Sequence, residues 1–118
     1  LAQKARRRAV ELRAQEYGVK NEVEKELLKA LYAYEEVLSL KNNKRTYASR
    51  TWQMVNKYGL IRAAENAVDR NVDPAGYKLL SEMGMSDLTF EAVILRYPSN
   101  FSEGSDDRAK GRLKIISS

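Results

Sequence analysis

One stretch of the chain, residues 21–40, repeats apolar side chains with the period of an α-helix. Its apolar members are Val23, Leu27, Leu28, Leu31, Tyr34, Val37, Leu38 and Leu40. Spacing of three and four residues lines up one face of a helix, and such a face is buried against other elements. Glu22 and Glu24 near the start, and Lys41 after the end, also suit the helix dipole. We therefore predict a long helix here and an all-α fold built around it.

Helix-breaking residues divide most of the remaining chain into helical segments. These positions are Gly18, Gly59, Gly84 and Pro98. Asp73 followed by Pro74 has the form of a helix start, because Asp caps well and Pro is tolerated in the first turn. Ser49 and Ser86 are further candidate N-caps. The pattern predicts longer N-terminal helices followed by a compact set of short ones.

We predict a small helical bundle of about five to six helices in a single domain, residues 1–98. Its N-terminal helices span residues 1–40, and its core of short helices spans residues 47–97. Residues 99–118 are polar and contain two glycines, so we expect a mobile C-terminal tail there. The chain begins at leucine, which suggests an accessory domain of a larger bacterial or phage protein.

Cysteine and histidine are both absent from the sequence, which removes much of catalytic and metal chemistry. Disulfides, zinc sites of the Cys/His type, cysteine nucleophiles and histidine-dependent triads are all excluded. No glycine-rich phosphate loop or nucleophile motif is present either. We therefore expect a non-catalytic protein without cofactor or metal. The lack of cysteine is compatible with a cytoplasmic location, and no apolar run approaches the ~18 residues of a membrane helix.

Positive charge is concentrated in residues 41–50, which we call the basic segment. The chain carries a net charge of +5, with a pI of about 9.5. The basic segment holds four cations and no acid, and its candidate contact residues are Lys41, Lys44, Arg45, Tyr47 and Arg50. Basic side chains supply affinity for phosphate, and neighbouring hydroxyls and amides can orient it. We predict a nucleic-acid partner, DNA more than RNA, although a solvated basic loop would have the same composition.

Residues 51–70 have the spacing of a helix-turn-helix, with Gly59 at the turn. In that interpretation the second helix presents Arg62, Asn66 and Arg70 to solvent. Arginine and asparagine can bond guanine and adenine edges in the major groove, so these three are candidate DNA contacts. The same sequence also fits two short helices that simply pack together around a glycine turn.

The stretch Leu80–Asp87 places a Met-Gly-Met turn between two helical segments. This turn is similar to the hairpin of helix-hairpin-helix domains, which implies contact between backbone amides and a DNA phosphate. It also resembles the loop of ubiquitin-associated domains, which implies a protein partner. A helix pair that stops at Gly84 and restarts at Ser86 explains the sequence equally well.

The alternative function is a protein-interaction or oligomerisation module. The helix predicted over residues 21–40 carries Leu27, Leu31, Tyr34 and Leu38 along one stripe. Tyrosine is enriched at protein interfaces, so this stripe could pair with a second copy of the chain as a homodimer. The two functions are compatible, since a basic dimer can also bind DNA.

Overall fold

The computed structural model describes residues 2–18, 21–68 and 74–116 of the 118-residue chain. These residues form seven α-helices and one short 3-10 helix, and no strand occurs among them. The helices are α1 (Ala2–Tyr17), α2 (Glu22–Asn42), α3 (Ser49–Tyr58), α4 (Leu60–Val68), α5 (Pro74–Glu82), α6 (Phe90–Arg96) and α7 (Ser105–Ile116), with the 3-10 helix at Pro98–Asn100. The predicted all-α bundle is confirmed, including its longer N-terminal helices.

Helix α2 is the centre of the fold and contacts α1, α4, α5 and α6. Its start is capped by Asn21, whose side-chain oxygen accepts hydrogen bonds from the amides of Val23 and Glu24 at 2.9 and 3.3 Å. Its end is closed by Asn43 in the left-handed conformation, with φ of 53°. Asparagine tolerates this conformation better than most residues with a side chain. The chain therefore fixes both ends of its longest helix locally.

Two apolar clusters fill the interior, and α2 contributes to both. The larger cluster joins Leu27, Leu28 and Leu31 of α2 to buried residues of α3, α4, α6 and α7. The second cluster is formed by Val10, Ala33, Val37, Leu80, Met83, Met85 and Leu88. Leu27, Leu28 and Leu31 are completely buried, which explains why the apolar repeat in this part of the sequence is so regular.

Helices α3 and α4 meet at Gly59, as the sequence predicts. Gly59 has φ of 90° and ψ of 169°, a backbone region that residues other than glycine rarely adopt. Val55 on α3 and Ala63 and Ala64 on α4 are buried in the larger cluster. The two helices are thus a tightly packed pair, and α4 also contacts α2, α6 and α7.

Helix α7 lies where we expected a mobile polar tail at residues 99–118. It contacts α4, α5 and α6, and Phe101, Ser105 and Ala109 are buried. Arg112 on α7 donates a hydrogen bond from Nε to the Glu91 carboxylate on α6 at 2.8 Å. Polar contacts to distant residues, which composition does not reveal, hold this segment against the bundle.

The carboxylate of Glu65 on α4 anchors the chain just before α7. Its Oε2 accepts hydrogen bonds from the Ser102 amide at 2.6 Å, from the Ser102 hydroxyl, and from the Ser105 hydroxyl at 3.2 Å. Burial alone would raise the pKa of Glu65, but the bonds from Ser102 and Ser105 outweigh burial and lower it. This acid, which lies on the buried side of α4, is the reason that residues 102–105 dock there.

The turn between α5 and α6 is packed into the fold. Pro74 begins α5 as predicted, while Asp73 lies outside the described residues. Met85 and Leu88 are buried, and Gly84 has φ of 71°. Helix α6 starts later than predicted, because Thr89 rather than Ser86 caps it through a 3.0 Å bond from the Ala92 amide.

Arg7 on α1 ties this turn to the N-terminal helix. Its guanidinium bonds both oxygens of the Asp87 carboxylate, at 2.9 and 2.8 Å, and the Gly84 carbonyl at 3.3 Å. The bond from Arg7 lowers the pKa of Asp87, and the same bond raises the pKa of Arg7. The turn is therefore held by its buried apolar residues and by an ion pair at the protein surface.

Replacing Glu65 with alanine should destabilise the fold by about 2–3 kcal/mol. The change removes the acceptor of the Ser102 amide and of the buried Ser105 hydroxyl, and an unsatisfied buried donor costs about 1–3 kcal/mol. Urea unfolding followed by circular dichroism measures the loss. Glu103→Ala, at an exposed residue of the same segment, is the matched control and should change little. Equal losses in both variants would contradict the anchoring role of Glu65.

The ion pair of Arg7 with Asp87 should make part of the stability depend on pH. Because the folded-state pKa of Asp87 is lowered, its contribution is present above the unfolded-state pKa of about 3.9 and is lost as pH falls through the folded-state value. Asp87→Asn should therefore lower the unfolding midpoint at pH 7. The corresponding loss in the free energy of unfolding should be less than about 1 kcal/mol, because the pair is exposed. The difference in stability from the wild type should shrink below pH 4. A difference that does not depend on pH would contradict this role of the ion pair.

Candidate nucleic-acid interface

The basic segment connects α2 to α3 on the protein surface. Lys41 lies in the last turn of α2, Lys44 and Arg45 lie in the loop, and Arg50 lies in the first turn of α3. All four cations are exposed, and so is Tyr47, with 61% of its surface accessible. The structure thus brings together the five residues that the sequence predicts here.

The polar residues of the basic segment fold the loop. The Thr46 amide donates to the Ser39 hydroxyl at 2.9 Å, and that hydroxyl donates back to the Thr46 carbonyl at 3.3 Å. Asn42 donates from Nδ2 to the Thr46 hydroxyl at 3.2 Å, and this hydroxyl donates to the Lys44 carbonyl at 3.0 Å. Thr46 and Asn42 therefore have a structural role in the loop.

A buried carboxylate, that of Glu35 on α2, holds the second half of the loop. Glu35 is 1% exposed, and its Oε2 accepts hydrogen bonds from the Ala48 amide and from Nε1 of Trp52, both at 2.8 Å. Glutamate is rarely buried unless such donors satisfy it. Ala48 is the N-cap residue of α3, and no side chain caps the helix, so the prediction that Ser49 caps it is wrong.

Trp52 is half-buried between tyrosines from two other helices. Its ring stacks on Tyr17 of α1 with centroids 5.8 Å apart, and it meets Tyr32 of α2 at 5.6 Å in a tilted arrangement. Both distances lie in the range where aromatic rings attract each other. Burial, followed by the nearby charge of Glu35, raises the pKa of Tyr32. Trp52 therefore belongs to an aromatic cluster at the edge of the core.

A cleft of about 550 Å³ opens beside this cluster. It is lined by Arg13, Glu16, Tyr17, Tyr32, Glu35, Arg45, Tyr47 and Trp52. Helices α1 and α2, the loop and α3 each contribute to its walls. The cleft thus joins aromatic rings from the helices to Arg45 and Tyr47 of the basic segment.

Arg45 is held in place by a carboxylate and by an aromatic ring. Its Nη1 donates to Glu36 Oε1 at 3.3 Å, and Arg13 donates to the same oxygen at 3.0 Å. The Arg45 guanidinium also lies 5.5 Å from the centre of the Tyr47 ring, within cation–π distance. Burial alone would lower the pKa of Arg45, but its bonds with Glu36 and Tyr47 raise it. Arg45 is therefore a positioned cation that supports Tyr47.

Lys44 and Arg50 have a different environment. Among the residues that the structure describes, neither forms an ion pair. An exposed cation without an acidic neighbour keeps its full charge available to a phosphate. These two side chains are the strongest candidates for phosphate contact in the basic segment.

Helix α4 presents fewer free side chains for DNA contact than the helix-turn-helix interpretation requires. Arg62 is exposed, but the Asn66 side-chain amide donates to the Arg62 carbonyl within the helix at 3.0 Å. Arg70 lies outside the described residues. None of the residues that line the cleft belongs to α4. The structure therefore does not join Arg62 and Asn66 to the site formed by the basic segment.

The α2 stripe that suggested a homodimer is mostly used inside the protein. Leu27 and Leu31 are 0% exposed, and Leu38 packs against the larger cluster. Tyr34 is 38% exposed and is the member of the stripe that solvent reaches most. A second copy could not contact the two buried leucines without unfolding the first.

Six residues of the cleft were not among the predicted site residues: Arg13, Glu16, Tyr17, Tyr32, Glu35 and Trp52. Trp52 belongs to α3, and the other five lie on α1 and α2. They reach the basic segment because α1 and α2 pack together, which the sequence of the loop cannot show. One signal was available. Glu35 continues the apolar series of Leu31 and Leu38 at helical spacing, and an acid at such a position implies a buried partner.

The described residues contain no helix both long and apolar enough to cross a membrane, and no cluster of three or more acidic residues placed to hold a metal ion. Comparison with protein-family models, with curated proteins and with solved structures finds no match for this chain.

Replacing Glu35 with alanine should destabilise the protein by about 2–4 kcal/mol, because two buried donors lose their acceptor. The emission of Trp52, the single tryptophan of the chain, should also shift to longer wavelength as the ring becomes more accessible. Urea unfolding and tryptophan emission measure the two effects. Glu16→Ala removes the same charge from an exposed residue of the cleft and is the control. If both variants behave alike, Glu35 does not fix the loop.

Proposed function

We propose that this protein binds nucleic acid, DNA in preference to RNA, through the basic segment. The observation that carries the proposal is the pair of exposed cations Lys44 and Arg50, which form no ion pair within the described part of the chain and lie beside a cleft with aromatic walls. Cations supply the phosphate affinity that dominates such binding, and aromatic rings supply contacts to bases. Lys41 and Arg45 add positive charge on either side of Lys44.

In this proposal the protein is a non-catalytic accessory module of a larger bacterial or phage protein, acting in the cytoplasm. Arg62 adds a positive charge on α4, and sequence reading by this helix is a secondary part of the proposal. The packed pair α3–α4 supports the basic segment by holding α3, the helix that carries Arg50, against α4.

The alternative, a protein-interaction module, has one observation in its favour. Tyr34 and Leu40 on α2 stay 38% and 42% exposed, although Leu27, Leu28 and Leu31 of the same helix are buried. Two partly exposed residues are a small surface compared with the ~800 Å² per partner of a typical stable interface. The basic segment therefore supports nucleic acid more strongly than α2 supports a homodimer.

Replacing Lys44 and Arg50 together with alanine should weaken DNA binding by roughly tenfold at low salt. It should also reduce the slope of log affinity against log salt by about 1.4–1.8, since each phosphate contact contributes about 0.7–0.9. Fluorescence anisotropy with labelled duplex DNA, single-stranded DNA and an RNA hairpin, at ~50 and ~200 mM salt, measures both quantities.

The control for this experiment is Lys78→Ala with Lys110→Ala, at two exposed lysines on α5 and α7. This variant loses the same net charge outside the basic segment, so its salt slope should stay close to that of the wild type. Equal slopes in the two double variants would assign the binding to net charge alone. Absence of binding to every probe at ~50 mM salt would overturn the proposal.

A further inference from the structure

We propose that the cleft holds an unpaired base of single-stranded DNA, stacked on Tyr47, while the neighbouring phosphates lie on Lys44 and Arg50. This inference rests on the proposed function and names the form of nucleic acid that the same site selects. It predicts a preference for single strands over duplexes.

The size and walls of the cleft suit a flat ring. Its volume of about 550 Å³ falls within the range of ~300–1,000 Å³ that is usual for small-molecule sites. Three tyrosines and Trp52 line it, and stacking on such rings is tolerant of base identity. Aromatic walls next to a basic backbone-binding surface are the combination that single-strand binders use.

Tyr47 is the platform within this cleft. It is the most exposed of the large hydrophobic side chains that remain accessible, at 61%, although it neighbours the buried Ala48. The Arg45 guanidinium lies over its ring at 5.5 Å, and Glu36 in turn holds Arg45. The ring is thus supported by a chain of contacts that leads back to α2, while most of its surface stays open to a ligand.

The distribution of charge separates the place of the base from the place of the phosphate. Inside the cleft, Arg13 and Arg45 are balanced by Glu16 and Glu35, so the walls carry no net charge. A phosphate placed there would be repelled by those carboxylates, whereas an uncharged base would not be repelled. Lys44 and Arg50, which have no ion pair among the described residues, lie within a few residues of the lining residues Arg45 and Trp52 along the chain. The strand would therefore bind with its backbone at the rim and a base inside.

A duplex cannot satisfy this arrangement without being opened. Its bases are stacked on each other, so their faces are covered, and extracting one requires unpairing and unstacking. A single strand presents its bases at little cost. The duplex would then keep the phosphate contacts alone.

The experiment measures the binding of four labelled 12-mers to the full chain by fluorescence anisotropy at ~100 mM salt. The four are oligodeoxythymidylate, an abasic strand with the same backbone, a duplex and oligouridylate. Oligodeoxythymidylate should bind roughly five- to a hundredfold more tightly than the abasic strand, the gain expected of one stacked base. It should also bind more tightly than the duplex, and oligouridylate should not exceed it. Trp52, the single tryptophan, lies in the cleft, so oligodeoxythymidylate should quench its fluorescence and the abasic strand should not.

Tyr47→Leu should remove most of the advantage of oligodeoxythymidylate over the abasic strand, and Tyr47→Phe should keep it. Tyr58→Leu is the matched control, because Tyr58 is also exposed and carries Lys57 over its ring at 5.2 Å but does not line the cleft. Its binding should equal that of the wild type.

The outcomes separate this inference from the proposed function. Equal, salt-dependent binding of oligodeoxythymidylate and the abasic strand, without quenching, would overturn the base site and leave phosphate binding in place. Tighter binding of the duplex or of oligouridylate would overturn single-stranded DNA as the occupant. Absence of binding to all four probes would overturn both proposals.

Discussion

The join between the loop of the candidate interface and α3 depends on one buried carboxylate. Glu35 sits on the apolar face of α2, where an acid without partners would strongly destabilise the fold. Its two hydrogen bonds, from the Ala48 amide and from Trp52, satisfy it and at the same time fix where α3 begins. The residues on either side, Tyr47 and Arg50, take their positions from this contact. The same hydrogen bonds thus satisfy a buried acid in the core and fix the geometry of the surface loop.

The sequence predicts the part of the fold that local periodicity controls. The apolar spacing of α2 and the break at Gly59 both depend on neighbouring residues, and the structure agrees with each. Helix α7 could not be predicted in this way, because few of its residues are apolar and buried. It docks through Glu65, nearly forty residues earlier in the chain, and no local pattern reports a contact of that kind.

The candidate site likewise contains residues that the sequence predicts and residues that only the structure identifies. Lys44, Arg45, Tyr47 and Arg50 are neighbours in the sequence, so their clustering was visible in the composition. Tyr17 and Tyr32 enter the site through the packing of α1 on α2, and their role could be recognised only in three dimensions. Glu36 is a further example, since it joins Arg13 to Arg45 across the two helices and the loop. Sequence analysis therefore identifies the charged rim of the cleft, and the structure adds its aromatic walls.

The hydrogen bonds inside the loop have a consequence for any ligand. Thr46 is bonded to Ser39 and Asn42, and Ala48 is bonded to Glu35, so the backbone around Tyr47 is ordered when the protein folds. Ordering a loop when a ligand arrives reduces affinity, because conformational entropy is lost at that moment. Here that entropy is already lost in the free protein. The surface is preorganised, and association can proceed as the docking of a rigid receptor with little rearrangement of its backbone.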